Sequence, residues 1–290
     1  MGKRLLFMGI VCTVMIVGLS SASRADTTIY SCGFEDGLGA WQVVNGVWDA
    51  LLAPTGGPAM LHPGSGYFCA GTAAEGTFYP AYTVSRLISP SIALPSVIPG
   101  EELFLRFWQW FSYSSLDAGY VQIQVFNPDT STWSAWTSVS EGMVSVSSVW
   151  TLAGIDLTKY AGQTVRLGFY HTADRDSLGR ASESSGWFID DIEVVRHIPS
   201  FNGSFESDWE DWYVDHGVWE IGTPSNGPGN AHSGMQCAGT VLGANYPAYT
   251  NSRLFSPTIT LQDVSAGQEL HMRYWQWFSY SSLDAGYVQI

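Results

Sequence analysis

The 290-residue chain carries 12 Lys and Arg against 26 Asp and Glu, a net charge of −14. So few cations argue against a nucleic-acid partner and against docking on anionic lipid, since both need clustered Lys and Arg. Its length suffices to bury one or two sizeable cores.

Residues 1–25 read as a secretory signal peptide. Lys3 and Arg4 precede an apolar run from Leu5 to Leu19, and "SSASRA" at 20–25 supplies small residues before Asp26. The run is too short to span a bilayer comfortably, where roughly 20 residues are needed. Cys12 falls inside it and is expected to leave with the signal. Cleavage after Ala25 removes Lys3, Arg4 and Arg24 but no acid, which takes the charge from −14 to −17. The remaining chain is expected to be secreted, with no membrane insertion, and its acidity suits solubility outside the cell.

From residue 33 onward the sequence repeats itself. "GFEDGLGAWQVVNGVW" at 33–48 aligns with "SFESDWEDWYVDHGVW" at 204–219, and "YPAYTVSRLISPSIAL" at 79–94 with "YPAYTNSRLFSPTITL" at 246–261. "WQWFSYSSLDAGYVQI" occurs unchanged at 108–123 and 275–290. A period near 170 is a whole-domain duplication, far longer than a solenoid unit. We expect one domain over 26–197 and a second copy over 198–290. The second copy lacks any counterpart of residues 124–196 and is expected to be C-terminally incomplete.

Within the first copy, period-two alternation marks strands. Val121, Ile123 and Val125 share one face and Gln122 and Gln124 the other. Val165, Leu167 and Phe169 fall together, as do Trp187, Ile189 and Asp191. "LFLRFWQWFSY" is apolar on both faces, with Phe107 and Phe111 on one and Phe104, Trp108 and Trp110 on the other, as expected of a central strand. Helical signals are nearly absent, with one short turn expected in "GIDLTKYAG". The expected fold is all-β, a two-sheet antiparallel jelly-roll sandwich, duplicated.

Three cysteines follow the signal. In an oxidising compartment Cys32 and Cys69 can pair, yet Cys69 has an equivalent in Cys237 while Cys32 aligns with Gly203. The bridge and a free-thiol state therefore both stay open. Arg86 and Arg253, in the repeated "SRL", are each expected to pair with an acid.

"CGFEDGLGAW" at 32–41, "SPSIAL" at 89–94, "GYVQIQV" at 119–125, "LTKYAGQTVRLGFYHTAD" at 157–174 and "GWFIDDIEV" at 186–194 together resemble the MAM-like modules of secreted proteins, within the concanavalin A-like jelly-roll group. The resemblance implies adhesion or recognition without catalysis, and commonly a structural calcium ion. Its carboxylates match Glu35 with Asp190 or Asp191, and Glu206 in the second copy. Calcium takes six to eight oxygens, so such a set is chemically reasonable. The alternative is that these acids are solvated turn residues.

A second candidate site is aromatic. Trp108, Trp110, Tyr113, Asp117 and Tyr120 recur as Trp275, Trp277, Tyr280, Asp284 and Tyr287. Sugar rings stack on Trp and Tyr while a carboxylate accepts hydroxyl hydrogens, so this set suits a glycan. The alternative is core packing, with "LDAG" a hairpin turn. A third candidate, Glu206-x-Asp208-x-Glu210, resembles the paired acids of jelly-roll glycosidases, but the first copy lacks it. H-E-x-x-H, G-x-S-x-G and phosphate-loop patterns are absent, and His62 and His232 lack metal-ligating neighbours in sequence. The expected function is non-catalytic recognition or adhesion on a glycan or extracellular protein surface. The alternative is a spacer in a larger exported peptidase or other hydrolase.

Overall fold

The computed structural model describes residues 26–52, 66–73, 77–174 and 183–290. The signal segment and His62 lie outside them. The first copy provides thirteen strands: β1 (Thr27–Cys32), β2 (Gln42–Val44), β3 (Asp49–Leu52), β4 (Phe68–Gly71), β5 (Val84–Ile88), β6 (Ile92–Ala93), β7 (Glu102–Ser112), β8 (Ala118–Asn127), β9 (Thr132–Trp133), β10 (Thr137–Ser138), β11 (Thr151–Asp156), β12 (Thr164–Thr172) and β13 (Gly186–His197). The one described helical element is a short 3-10 turn at Thr158–Tyr160, inside the stretch read as a turn. The second copy provides β14 (Tyr213–Val214), β15 (Trp219–Gly222), β16 (Cys237–Thr240) and β17 (Leu254–Phe255).

The chain is an all-β sandwich. The first sheet runs β17-β14-β11-β7-β13-β4-β3, with β1 also on β13. The second runs β10-β8-β12-β5-β2, with β6 on β12 and β9 on β8. Parity along each strand decides what lies between them. Leu105, Phe107 and Phe111 of β7 and Trp187 and Ile189 of β13 meet Val121 and Ile123 of β8 and Leu167 and Phe169 of β12, all buried. Phe107 and Phe169 touch edge to face with centroids 5.1 Å apart. Phe104, Trp108 and Trp110 occupy the other side of β7, as the two-sided apolar pattern predicts. There Trp110 packs with Cys69 and Phe188 in a small separate cluster.

The alternation expected of β13 fails at one point. The β13 register shifts between Asp190 and Glu193, and Asp191 has φ 43°. This bulge inserts residues and restarts the phase. Ile192 and Val194 therefore return to the core, and Asp191 does not share the inner face with Trp187 and Ile189.

The local registers of the first copy recur in the second. Val43 opposes Leu87 as Val214 opposes Leu254, and Cys69 opposes Leu51 as Cys237 opposes Gly222. A second sandwich, however, does not form from these residues. β14 joins the first sheet in parallel, with Ala153 opposite Val214, against an expectation of purely antiparallel pairing. Residues 256–290 carry no strand. In the first copy β7 lies between β11 and β13, and β8 lies against β12. The second "WQWFSY" pairs with no strand among the described residues. Trp275, Trp277, Tyr280 and Tyr287 are accordingly exposed, Trp275 by 77%.

Candidate functional site: the outer face of the second sheet

The outward positions of β5, β8 and β12 converge on one aromatic and polar surface. Tyr170 opposes Arg86 across β12–β5, and Arg166 opposes Gln124 across β12–β8. Trp133, from β9, and Trp136 fold back over this face. The Arg86 guanidinium carbon lies 4.6 Å from the ring centres of both Trp136 and Tyr170. That of Arg166 lies 4.6 Å from Trp133 and 5.5 Å from Trp136. Rings and cations thus interleave across three strands, in contacts worth about 0.5–2 kcal/mol each. Gly168 makes room for this stack. A Cβ there would meet Trp136 at 2.7 Å and the Arg86 stem at 2.8 Å, so the indole rests on bare backbone.

Two glutamines orient the cations. Arg86 Nε donates to Gln122 Oε1 at 2.9 Å and Arg166 Nε to Gln124 Oε1 at 2.7 Å. The amide nitrogens in turn donate to Ser138 Oγ and to the Ser134 carbonyl. Tyr120 opposes Tyr170, their ring centres 6.4 Å apart. The polar face of "YVQIQVF" indicated the glutamines in advance. Arg166 and Tyr170 also occupy the even positions opposite Val165, Leu167 and Phe169. Trp133 and Trp136 gave no periodic signal, because they arrive from a connection rather than along a strand.

The five aromatic and acidic residues grouped by the repeat do not form one site. Tyr120 alone belongs to the face just described. Trp108 lies on the outer face of the opposite sheet, edge-on to Trp209 of the second copy with centroids 5.9 Å apart. It also borders a cleft of about 530 Å³ beside the β13 bulge, lined by Arg106, Asp191 and Glu193. Trp110 is in the small Cys69 cluster. Tyr113 and Asp117 are interior, and Asp117 is 1% exposed. Asp117 accepts the Tyr79 hydroxyl at 2.6 Å and the Asp174 amide at 2.7 Å, while the Ser114 amide donates to Tyr79 Oη. An acid held this way fastens the β7–β8 turn instead of receiving a sugar. Asp284, Tyr246 and Ser281 repeat the two bonds made by the Tyr79 hydroxyl.

Of the two "SRL" arginines, one meets its expected acid. Arg253 pairs with Glu141 at 2.8 Å and with Asp215. Arg86 has none among the described residues, where Val44 stands in the position of Asp215 in the second copy.

The carboxylates matched to calcium are divided between turns, which hold Glu35 and Glu206, and the interior of β13, which holds Asp190 and Asp191. Glu35 accepts the amides of Tyr67 and Phe68 at 2.8–3.0 Å, as Glu206 accepts those of Met235 and Gln236 at 3.0–3.1 Å. Asp190 is fully buried and accepts the Asp191 amide at 2.8 Å. Burial, then Asp190, then Glu35 push the Cys69 thiol up to about 12, so both acids lie within electrostatic reach of it. Two other groups have metal-like spacing, Asp26–His197–Asp211 and Glu141–Asp215–His216. Arg106 and Arg253 already supply the cation in them.

The Cys32–Cys69 bridge is not formed, and Cys32, Cys69 and Cys237 are all free. Cys32 packs against the main core, whereas Cys69 belongs to the outer cluster. On opposite faces of one sheet, the two side chains diverge and cannot reach the sulfur–sulfur distance of about 2 Å. The acids Glu206, Asp208 and Glu210 do not share a strand face. Their segment is a turn in which Asp208 and Glu210 have φ of 74° and 49°. Glu206 is engaged as described and Glu210 accepts from Asn202 at 2.8 Å.

No family model matches the chain. A stretch of 105 residues, 34% of the chain, is 31% identical to Bacillopeptidase F of Bacillus subtilis (strain 168), and the match spans 7% of that protein. Among solved structures, the TmCBM61 module in complex with β-1,4-galactotriose is 15% identical with a TM-score of 0.35, covering 56% of this chain and 92% of that one. The K3 adhesin domain of Lys-gingipain from Porphyromonas gingivalis w83 is 15% identical with a TM-score of 0.35, over 58% and 98%. The CBM22-2 xylan-binding domain of Paenibacillus barcinonensis Xyn10C is 14% identical with a TM-score of 0.35, over 57% and 98%. Likeness at this level carries nothing about a ligand. Among the described residues no helix is long and apolar enough to cross a membrane.

Proposed function

We propose that this chain is an exported carbohydrate-recognition module without catalysis of its own, and that glycan lies along the outer face of the second sheet. One observation carries the reading: Trp133, Trp136, Tyr170 and Tyr120 share that face with Gln122 and Gln124, on strands held rigid by the core beneath. Aromatic surface stacks on pyranose C–H faces, and the terminal guanidinium N–H groups, oriented by the two glutamines, bond the ring hydroxyls. Affinity gel electrophoresis of the full chain against a panel of polysaccharides tests it. We expect Trp136→Ala to weaken binding about tenfold, the size of a single aromatic anchor. Trp108→Ala, whose ring packs on Trp209, leaves binding unchanged. Equal retardation of Trp136→Ala and the parent removes the face from the reading, and no retardation by any polysaccharide favours a spacer role in a larger exported hydrolase.

A structural calcium ion belongs to the same proposal. Glu35 with Asp190 or Asp191, the acids matched by the resemblance, would hold it, and it would join the turn after β1 to β13 through oxygen ligands. Calcium at about 100 times its Kd adds roughly 2.7 kcal/mol to stability, or ~5–10 °C in a domain of this size. Thermal melts of the full chain with calcium and with excess chelator measure this directly. Coincident curves exclude the ion.

A further inference from the structure

The two guanidinium groups on the second sheet's outer face have no ionic partner among the described residues. All the Arg–carboxylate pairs there involve Arg106 or Arg253. Arg86 occupies the position of Arg253, but Val44 replaces the acid that neutralises Arg253, and a Trp and a Tyr cradle it instead. In a chain with more than twice as many acids as Lys and Arg, two adjacent unpaired arginines are costly to leave together unless something anionic meets them. Burial by the rings, and in Arg86 the nearby charge of Arg166, holds their pKa values below the usual arginine range.

Orientation adds to charge. Each Nε is spent on a glutamine oxygen and each guanidinium carbon lies 4.6 Å from the centre of an indole ring. The remaining terminal N–H groups form preset forks of the geometry that receives a carboxylate or sulfate in bidentate fashion. Acidic residues elsewhere on the chain repel polyanions, which confines binding to this strip.

We infer that this face selects acidic polysaccharides, with Arg86 and Arg166 each receiving one carboxylate or sulfate group of the chain. The inference rests on the carbohydrate reading of the same face and narrows its ligand class.

The test is affinity electrophoresis of the full chain in gels containing polygalacturonate, dextran sulfate or neutral hydroxyethyl cellulose, at low and at 0.3 M NaCl. The expected result is retardation by at least one acidic polymer, at least about tenfold stronger than by the neutral one, and largely lost in salt. Retardation by polygalacturonate alone identifies carboxylate as the ligand group, and by dextran sulfate alone sulfate. Arg86→Gln and Arg166→Gln should each reduce it about tenfold, and Arg86→Lys, which keeps the charge but loses the fork, should restore only part. Melting curves of the variants establish that they remain folded. If Arg86→Gln is not folded, Arg166→Gln and the salt dependence decide alone. Equal retardation by the neutral polymer, insensitive to both substitutions, overturns the acidic selectivity and leaves carbohydrate recognition standing. Equal retardation by single-stranded DNA reduces the face to a generic anion patch and overturns the inference. Retardation by no polymer defeats both readings.

Discussion

Replacing Trp187 by alanine is expected to lower the melting temperature of the full chain by about 10 °C, from a loss of roughly 3–5 kcal/mol. The indole is completely buried between the sheets. Its ring lies 5.7 Å from that of Trp48 and 5.5 Å from that of Phe169, and Nε1 donates to Gln109 Oε1 at 3.1 Å. Gly119 on β8 is fitted to it, since a Cβ there would meet the ring at 2.5 Å. Truncation therefore opens a cavity spanning both sheets and strands the Gln109 amide. Trp187→Phe keeps an aromatic filler and should lose well under half as much. Calorimetry on the two variants checks the ordering, and an alanine variant that melts within 2 °C of the parent would falsify the packing account.

Acidification is expected to weaken the fold between pH 6.5 and 4 because of His171. The ring projects from β12 itself and is fully buried. Thr83 spends its hydroxyl hydrogen on the Pro80 carbonyl at 2.8 Å, so His171 Nε2 must donate to Thr83 Oγ1 and Nδ1 must accept from Tyr113. The buried neutral tautomer is thus the bonded one, and desolvation lowers its pKa from 6.5 to about 4. Across that interval the unfolded chain binds a proton that the native chain does not. Stability contributed by this residue is therefore complete above pH 6.5 and falls as pH drops, reaching a loss of roughly 3 kcal/mol below pH 4 at ~1.4 kcal/mol per pKa unit. Urea midpoints at pH 7.5, 5.5 and 4.0 measure the slope. Carboxylates titrate in the lower part of the range, so the comparison is with His171→Gln, whose midpoint should depend less steeply on pH. Parallel slopes for the two proteins exclude His171 as the source.

The elements most legible in advance were those encoded by nearest-neighbour chemistry. Alternation in β7, β8 and β12 assigned each side chain to a face, and both faces of "LFLRFWQWFSY" are apolar because sheet and outer cluster cover it. The hydrogen bonds shared by Glu35 and Glu206, and by Asp117 and Asp284, recur in both copies but join residues 29 to 38 apart in sequence, and were not legible in advance. Features that depend on a distant partner were not legible. Asp191 departs from the alternation because a bulge intervenes, and Cys32 and Cys69 diverge because β1 and β4 meet β13 on opposite sides of that bulge. The second "WQWFSYSSLDAGYVQI" has the same residues as the first and remains without strands, since a strand's backbone is satisfied by its neighbours and not by itself.

By itself, the sequence determined the β class, most strand faces, the internal repeat of sequence and the acidic net charge, all of which are properties of composition and period. Only the tertiary structure decided which aromatics share a surface. Arg86, Gln122, Trp136, Arg166 and Tyr170 come from three strands and a connection, and cross-strand register brings them within contact while sending Trp108 and Tyr113 elsewhere. Register is set by the whole core at once, which is why no single stretch of the chain announced this face.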